Sequence, residues 1–255
     1  MKRISFAVLA SLVLSAAPIP AHAAFHLMQI DQVIGGVAGD TTAQAVQLRM
    51  RNAGQNFLNG SAQLIVRDAT GANPVTLSTF PVPNPTGGTC LAILLATPSF
   101  AAKTSPTAVA NYTMTAIPSS YLAGGSLTFE TLGGATTLWR LSWGTYSGSA
   151  TVATVASGYN DDDGTAAPNA GGSLPSSGTA ALHFTPGCPT ASTTNASQYA
   201  SVAPAVFTNN GGASFTVQAP PAVPGLPGRS HWLLPTLLGA GVLGFAVLRR
   251  TRKTA

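Results

Sequence analysis

The chain has 255 residues, few charged side chains (7%) and a formal net charge of +5, with a pI of about 9.6. Seven of the twelve Lys and Arg residues lie in residues 1–3 and 229–255, which leaves five basic and seven acidic side chains in the body between them. A body with a net charge of −2 offers no basic patch to nucleic acid, so DNA and RNA are excluded as partners.

The N-terminus has the order of a secretory signal peptide. Lys2 and Arg3 come first, an apolar run follows over residues 4–17, and Ala21-His22-Ala23 supplies small residues for a cleavage site. This order predicts a signal peptide over residues 1–23, cleaved after Ala23. The alternative is an uncleaved N-terminal helix. A cleaved signal predicts that the body is exported.

Apolar and polar residues alternate with a period of two along the body, as expected of half-buried strands. Trp139, Leu141 and Trp143, for example, alternate with polar residues. Gly, Pro and Asn separate these runs, so residues 24–218 are predicted to be an all-β antiparallel sandwich or barrel in which each strand has one face on the core. The predicted strands are residues 27–34, 46–51, 62–67, 75–79, 91–96, 112–116, 127–130, 139–143, 181–184 and 214–218.

The chain has two cysteines, Cys90 and Cys188, both in the exported body. In an oxidising compartment they are expected to form an intramolecular disulfide, which would contribute about 4 kcal/mol by the loop-entropy model. Free thiols or intermolecular bonds are the alternatives. A metal site is disfavoured because the sequence has no CxxC pair.

Residues 144–180 are rich in Gly, Ser, Ala and Thr and are predicted to form a long surface loop. The loop contains three consecutive carboxylates, Asp161, Asp162 and Asp163, which could offer oxygen ligands to calcium. The alternative is a solvated polar turn, since adjacent side chains on an extended chain point in opposite directions. No other cofactor is predicted.

The body has no pattern typical of an active site. Its two histidines, His26 and His183, belong to no HExxH, and no G-x-S-x-G is present, so each histidine is expected to be an ordinary strand-surface residue and no catalytic residue is assigned. Trp139 and Trp143, on one strand face, are expected to pack in the core. A sugar platform that they form with Tyr146 and Tyr159 is the alternative.

The C-terminus has the order of a membrane anchor. A Pro/Gly linker, residues 219–231, precedes a 17-residue apolar run, residues 232–248, and a basic tail, residues 249–255. As a helix, the run would extend about 25 Å, near the minimum that crosses a bilayer. The basic tail, which includes Arg249 and Arg250, predicts that the tail stays in the cytoplasm and the body outside. A buried core helix is the alternative.

The tail also resembles the sorting signals of bacterial surface proteins of the PEP-CTERM type. The likeness lies in the order of a short Pro-containing motif, one helix and an Arg-rich end. Here the motif begins with Val223-Pro224 and contains no Pro-Glu-Pro. The resemblance implies cleavage by an exosortase-like transpeptidase, with a plain anchor as the alternative.

Four stretches of the body resemble uncharacterised secreted bacterial proteins that are related to lamin-tail domains. They are residues 25–30 (FHLMQI), 47–49 (QLR), 94–100 (LLATPSF) and 138–144 (LWRLSWG). The resemblance covers about residues 25–218 and implies an immunoglobulin-like β-sandwich. It implies no catalytic residues.

Together these features predict a non-enzymatic protein of the bacterial cell surface or extracellular matrix. Its expected partners are the membrane, a sorting enzyme and exopolysaccharide. The alternatives are an envelope module that binds calcium or carbohydrate, and a secreted hydrolase.

Overall fold

The computed structural model describes residues 25–83, 86–148, 169–189 and 198–219. Thirteen strands and three short 3₁₀ helices lie within these ranges. The strands are β1 (Met28–Ile34), β2 (Ala45–Met50), β3 (Ala62–Asp68), β4 (Val75–Ser78), β5 (Ala92–Ala96), β6 (Thr104–Ser105), β7 (Tyr112–Thr113), β8 (Gly124–Thr131), β9 (Thr137–Gly144), β10 (Ala181–Phe184), β11 (Tyr199–Val202), β12 (Val206–Thr208) and β13 (Ser214–Val217). The 3₁₀ helices are Phe25–Leu27, Pro98–Lys103 and Ser119–Tyr121.

The described strands form three sheets. The central sheet has the order β11-β10-β1-β2-β5-β7, the outer sheet β4-β3-β8-β9, and the small sheet β12-β13-β6. Neighbouring strands are antiparallel except β5 and β7, which are parallel. The all-β prediction and its mainly antiparallel pairing are therefore confirmed.

The main core lies between the central and outer sheets, as in a β-sandwich. Trp139 and Trp143 of β9 belong to it, and both side chains are fully buried. The Trp139 ring packs edge-on against Phe184 of β10 at 5.3 Å, and its Nε1 donates a 2.9 Å hydrogen bond to the Tyr199 hydroxyl of β11. Aromatic packing with a satisfied indole N–H thus joins the two sheets.

A second core lies on the opposite face of the central sheet. It includes Ile34 of β1, Leu94 of β5, and Phe207 and Phe215 of the small sheet. Every residue of β1 is buried as a result. The prediction that each strand has only one face on a core is therefore wrong for the middle of the central sheet, because the small sheet adds a third layer.

Polar side chains of the central sheet are buried beneath β12. A β-bulge between Ile30 and Gln32 makes Asp31 the extra residue of β1, opposite β2. Its carboxylate accepts hydrogen bonds from Gln47 Nε2 (2.5 Å) and Arg49 Nη2 (2.7 Å). The Gln47 Oε1 in turn accepts from the backbone N–H of Thr208 in β12. We call this group, with Gln32, the central polar layer.

The predicted disulfide is confirmed. Cys90 and Cys188 are bonded, with Cα atoms 5.7 Å apart. Cys90 lies two residues before β5, and Cys188 lies four residues after β10. The bond therefore links segments that flank two strands of the central sheet, β5 and β10, which are separated in that sheet by β1 and β2.

The described residues contain no helix that is both long and apolar enough to cross a membrane. The predicted signal peptide, the apolar run 232–248 and the tail 249–255 lie outside the described residues, as does the linker after Ala219.

Candidate functional site

The face of the outer sheet that points away from the main core is polar and yet buried. Ser126, Thr128 and Glu130 alternate with core residues along β8 and are 0%, 3% and 1% exposed. Arg140 and Ser142 extend this face on β9 and are also buried. The alternation in the sequence thus places these side chains on the correct face but does not show that the face is covered.

An ion pair organises one side of this face. Arg67 Nη1 of β3 lies 2.5 Å from Glu130 Oε1 and donates a 2.7 Å hydrogen bond to Thr128 Oγ1. The Thr128 hydroxyl also bonds to Glu130 Oε1 at 2.6 Å. Gln63 Nε2 donates a longer hydrogen bond, 3.4 Å, to Glu130 Oε2. The Glu130 carboxylate is therefore held by three side-chain donors, as a buried charge requires.

A cavity of about 140 Å³ lies beside this ion pair. One water needs only ~10–15 Å³ of such space, so the cavity is too large to be a packing defect that a single solvent molecule fills. Its described lining carries two guanidinium groups and four hydroxyls, from Arg67, Arg140, Ser126, Thr128, Thr137 and Tyr146.

Ser126 is the one described lining residue whose buried Oγ has no hydrogen-bond partner, and it is fully buried. A buried hydroxyl without a partner costs ~1–3 kcal/mol of free energy, and such groups are uncommon. Ser126 thus combines unmet hydrogen-bonding capacity with a place among the lining residues of the cavity.

Tyr146 reaches the cavity because the chain after β9 crosses toward the end of β3. Ser147 N donates a 2.7 Å hydrogen bond to Ala69 O, just beyond β3. Gly148 fits there because a Cβ at this position would be 2.7 Å from Gly71 Cα and 2.6 Å from the Tyr146 hydroxyl. The crossing therefore depends on a residue without a side chain.

A tight turn follows β3 next to the cavity. The Asp68 carboxylate accepts hydrogen bonds from the Thr70 hydroxyl (2.7 Å) and from Asn73 Nδ2 (2.6 Å). These hydrogen bonds lower the pKa of Asp68 to about 2, and the bond from Thr70 has the largest effect. Gly71 of the same turn belongs to the lining, so the turn fixes one wall.

The predicted core position of Trp139 and Trp143 is confirmed, and the alternative sugar platform is wrong. Both indoles face the main core, whereas Tyr146 lies at the cavity on the other side of the outer sheet. Tyr159 lies outside the described residues.

The two histidines have different surroundings. His26 lies in the first 3₁₀ helix, not on a strand as predicted, and its ring packs 4.9 Å from that of Phe25. Burial lowers its pKa. His183 lies on β10 opposite Gln32, as the strand prediction expected.

The candidate calcium ligands Asp161, Asp162 and Asp163 lie outside the described residues. Within the described ranges, no group of three or more His, Cys, Asp or Glu side chains is placed to hold a metal ion.

The residues assigned to processing and anchoring also lie outside the described part of the chain. These are Ala23, Val223, Pro224, Arg249 and Arg250.

Nothing in the sequence pattern predicts the cavity. The alternating pattern marks Thr128 and Arg140 only as polar residues of strands, and Arg67 only as the last residue of the predicted strand 62–67. The one sequence signal for the cavity is that Arg67 and Arg140 are charged residues within strongly β-forming runs. The alternation of polar and apolar residues does not reveal that these two arginines lie on the strands on either side of β8.

Comparisons of the chain with protein-family models, with curated proteins and with solved structures gave no match.

Proposed function

We propose that this chain is a non-enzymatic protein of the bacterial cell envelope whose β-rich body is exported and displayed outside the cytoplasm. The observation that carries the proposal is the Cys90–Cys188 disulfide, because such bonds persist in oxidising compartments and are rare in the cytosol. The signal-peptide and anchor patterns of the two ends support the same location.

The hydrogen bonds and ion pairs of the acidic side chains support a structural or binding role. The four acidic residues in the described ranges are Asp31, Asp40, Asp68 and Glu130, and each is engaged in structural hydrogen bonds or ion pairs. Asp40, for example, lies 2.9 Å from Lys103 Nζ and accepts from the Thr42 hydroxyl. The engagement of all four carboxylates in the hydrogen bonding of the fold supports a structural or binding role.

We also propose that the β-rich body is an immunoglobulin-like sandwich. Two mainly antiparallel sheets face each other across one core, and the chain passes from β2 in the central sheet through β3 and β4 in the outer sheet before returning to β5. Such crossing between sheets supports an immunoglobulin-like sandwich of the lamin-tail type.

The exported body would either stay attached through a membrane anchor at residues 232–248 or be released after cleavage near Val223-Pro224 by an exosortase-like enzyme. The basic tail supports the orientation, and exopolysaccharide would then be the surrounding material.

The test is mass spectrometry of the protein from separated cytoplasm, membrane and medium. We expect an N-terminus at Ala24 and an oxidised Cys90–Cys188 pair in the membrane or medium fraction. A C-terminus within residues 219–231 would support sorting, and an intact Ala255 in the membrane would support the plain anchor. Protein that retains Met1 and carries free thiols in the cytoplasm would contradict the proposal.

A further inference from the structure

The cavity on the outer sheet has the properties of a binding site that is built into rigid strands. All its described lining residues except Gly71 and Tyr146 come from β3, β8 and β9, which are hydrogen-bonded neighbours. Sheet register therefore sets the spacing of these side chains: Arg67 lies opposite Ser126, and Thr128 opposite Arg140. Sites carried by strands hold their groups more precisely than sites on loops.

The lining determines what kind of ligand would fit. Guanidinium groups have only donors and pair well with carboxylates and phosphates, whereas hydroxyls both donate and accept. Arg67 Nη1 is already bonded to Glu130 and Thr128, so Arg67 would offer a ligand only its other N–H groups. These groups, with Arg140 and the hydroxyls of Ser126, Thr137 and Tyr146, suit a ligand that carries both a carboxylate and hydroxyl groups.

The volume restricts the size of the ligand. At about 140 Å³ the cavity exceeds the space of one water, yet it is smaller than the ~300–1,000 Å³ of pockets that take drug-sized molecules. A single sugar unit is small enough for a cavity of this volume. A small inorganic anion would leave several of the lining hydroxyls without a partner.

We infer that this cavity binds a small polyhydroxylated carboxylate, of the kind found as a single uronic acid unit. The Ser126 hydroxyl, buried without a partner in the unliganded protein, gains its hydrogen bond from the ligand. The arginines recognise the carboxylate and Tyr146 closes one wall. The inference rests on the cavity alone and does not depend on the proposed location.

The test measures binding of D-glucuronate to the full chain in neutral detergent, by calorimetric titration and by the rise in melting temperature. A ligand that binds only the folded state raises this temperature in a saturable way. D-Glucose, which lacks the carboxylate, is expected to give no saturable rise. Acetate, which lacks the hydroxyls, is expected to bind more weakly than glucuronate.

The variant Ser126→Ala is expected to weaken glucuronate binding by about tenfold, because one hydrogen bond to a charged or strongly polar ligand is lost. The fold is expected to persist, since the hydroxyl has no partner in the unliganded protein. The matched control is Ser142→Ala, at the paired position on β9 and not among the described lining residues. Thr137→Val, which keeps the shape of the side chain, gives a second test.

Three results would overturn the inference: no saturable effect of glucuronate, an equal effect of glucose, or unchanged affinity in both Ser126→Ala and Thr137→Val. Acetate that bound as tightly as glucuronate would overturn the role of the hydroxyls. Fractionation tests the proposed location separately, so the two failures are distinguishable.

Discussion

The central polar layer and the polar face of the outer sheet contain closely similar ion pairs in different surroundings. Arg49–Asp31 and Arg67–Glu130 both combine an acidic side chain that is at most 3% exposed with an arginine side chain that is about a quarter exposed. Beneath β12, backbone groups of the small sheet complete the layer: Gln32 donates to Val206 O and Thr208 N donates to Gln47. On the outer sheet the ion pair borders a cavity. The same polar chemistry therefore serves as closed packing in one place and as an open lining in the other.

The largest effect is expected from removing the disulfide that links segments flanking strands of the central sheet. Replacing Cys90 and Cys188 by Ser is expected to lower the free energy of unfolding by about 4 kcal/mol, because the bond closes a 98-residue separation. Urea unfolding measures the change. Wild-type protein treated with a reductant is the control and should lose a similar amount. An unchanged midpoint after complete reduction would contradict the expectation.

The next largest effect concerns the two ion pairs. Arg49→Met and Arg67→Met are each expected to lower the free energy of unfolding by about 2–3 kcal/mol, because each leaves a buried carboxylate without its cation. Because both arginine side chains are partly exposed to solvent, the expected loss of unfolding free energy is smaller than for a fully buried ion pair. Adding Asp31→Asn or Glu130→Gln should recover part of it. A large loss from only one arginine variant would show that the pairs are not equivalent.

A smaller effect is expected at Gln29, whose buried side-chain amide has no hydrogen-bond partner among the described residues. Gln29→Met keeps the length of the side chain and removes the unpaired groups, so it is expected to raise the free energy of unfolding by about 1 kcal/mol. The control Gln47→Met should instead lower it, because Gln47 bonds to Asp31 and Thr208. Thermal and urea unfolding give both values, and a destabilised Gln29→Met would be the contrary result.

The smallest effect is expected in acid. Hydrogen bonds from Thr42 and Lys103 lower the pKa of Asp40 to about 2, and the turn after β3 does the same for Asp68. Because both folded pKa values lie below the ordinary 3.8, the stabilisation is complete above about pH 4 and is lost as the pH falls toward 2. Melting temperature measured across this range should fall less steeply in Asp40→Asn and in Asp68→Asn.

High salt separates these two carboxylates. It should weaken the contribution of Asp40, which depends partly on the Lys103 cation, more than that of Asp68, which depends on local neutral donors. Equal salt sensitivity of the two variants would contradict this assignment.

The sequence allowed the strands and the disulfide to be predicted because both depend on local pattern or on simple counting. The alternation around Trp139 and Trp143 determined which face of β9 meets the core, and Cys90 had Cys188 as its only intramolecular partner. Single strands carry this information in their own period.

The third layer and the cavity could not be predicted because they depend on pairing between distant segments. Nothing near Gln47 indicates that Thr208 will cover it, 161 positions along the chain. The bulge at Asp31 breaks the period of two, and Arg67 meets Glu130 only through the register of β3 with β8. Buried polar residues in strands therefore look like surface residues until their partners are known.

The most direct test of the contrast between the two layers is hydrogen–deuterium exchange of the full chain, with and without saturating D-glucuronate. Slower exchange is predicted in peptides that cover β8, β9 and the segment around Tyr146, with no change in peptides that cover Asp31 and Gln47. Unchanged exchange in the outer sheet, or equal slowing in both layers, would contradict the assignment of the cavity as the ligand site.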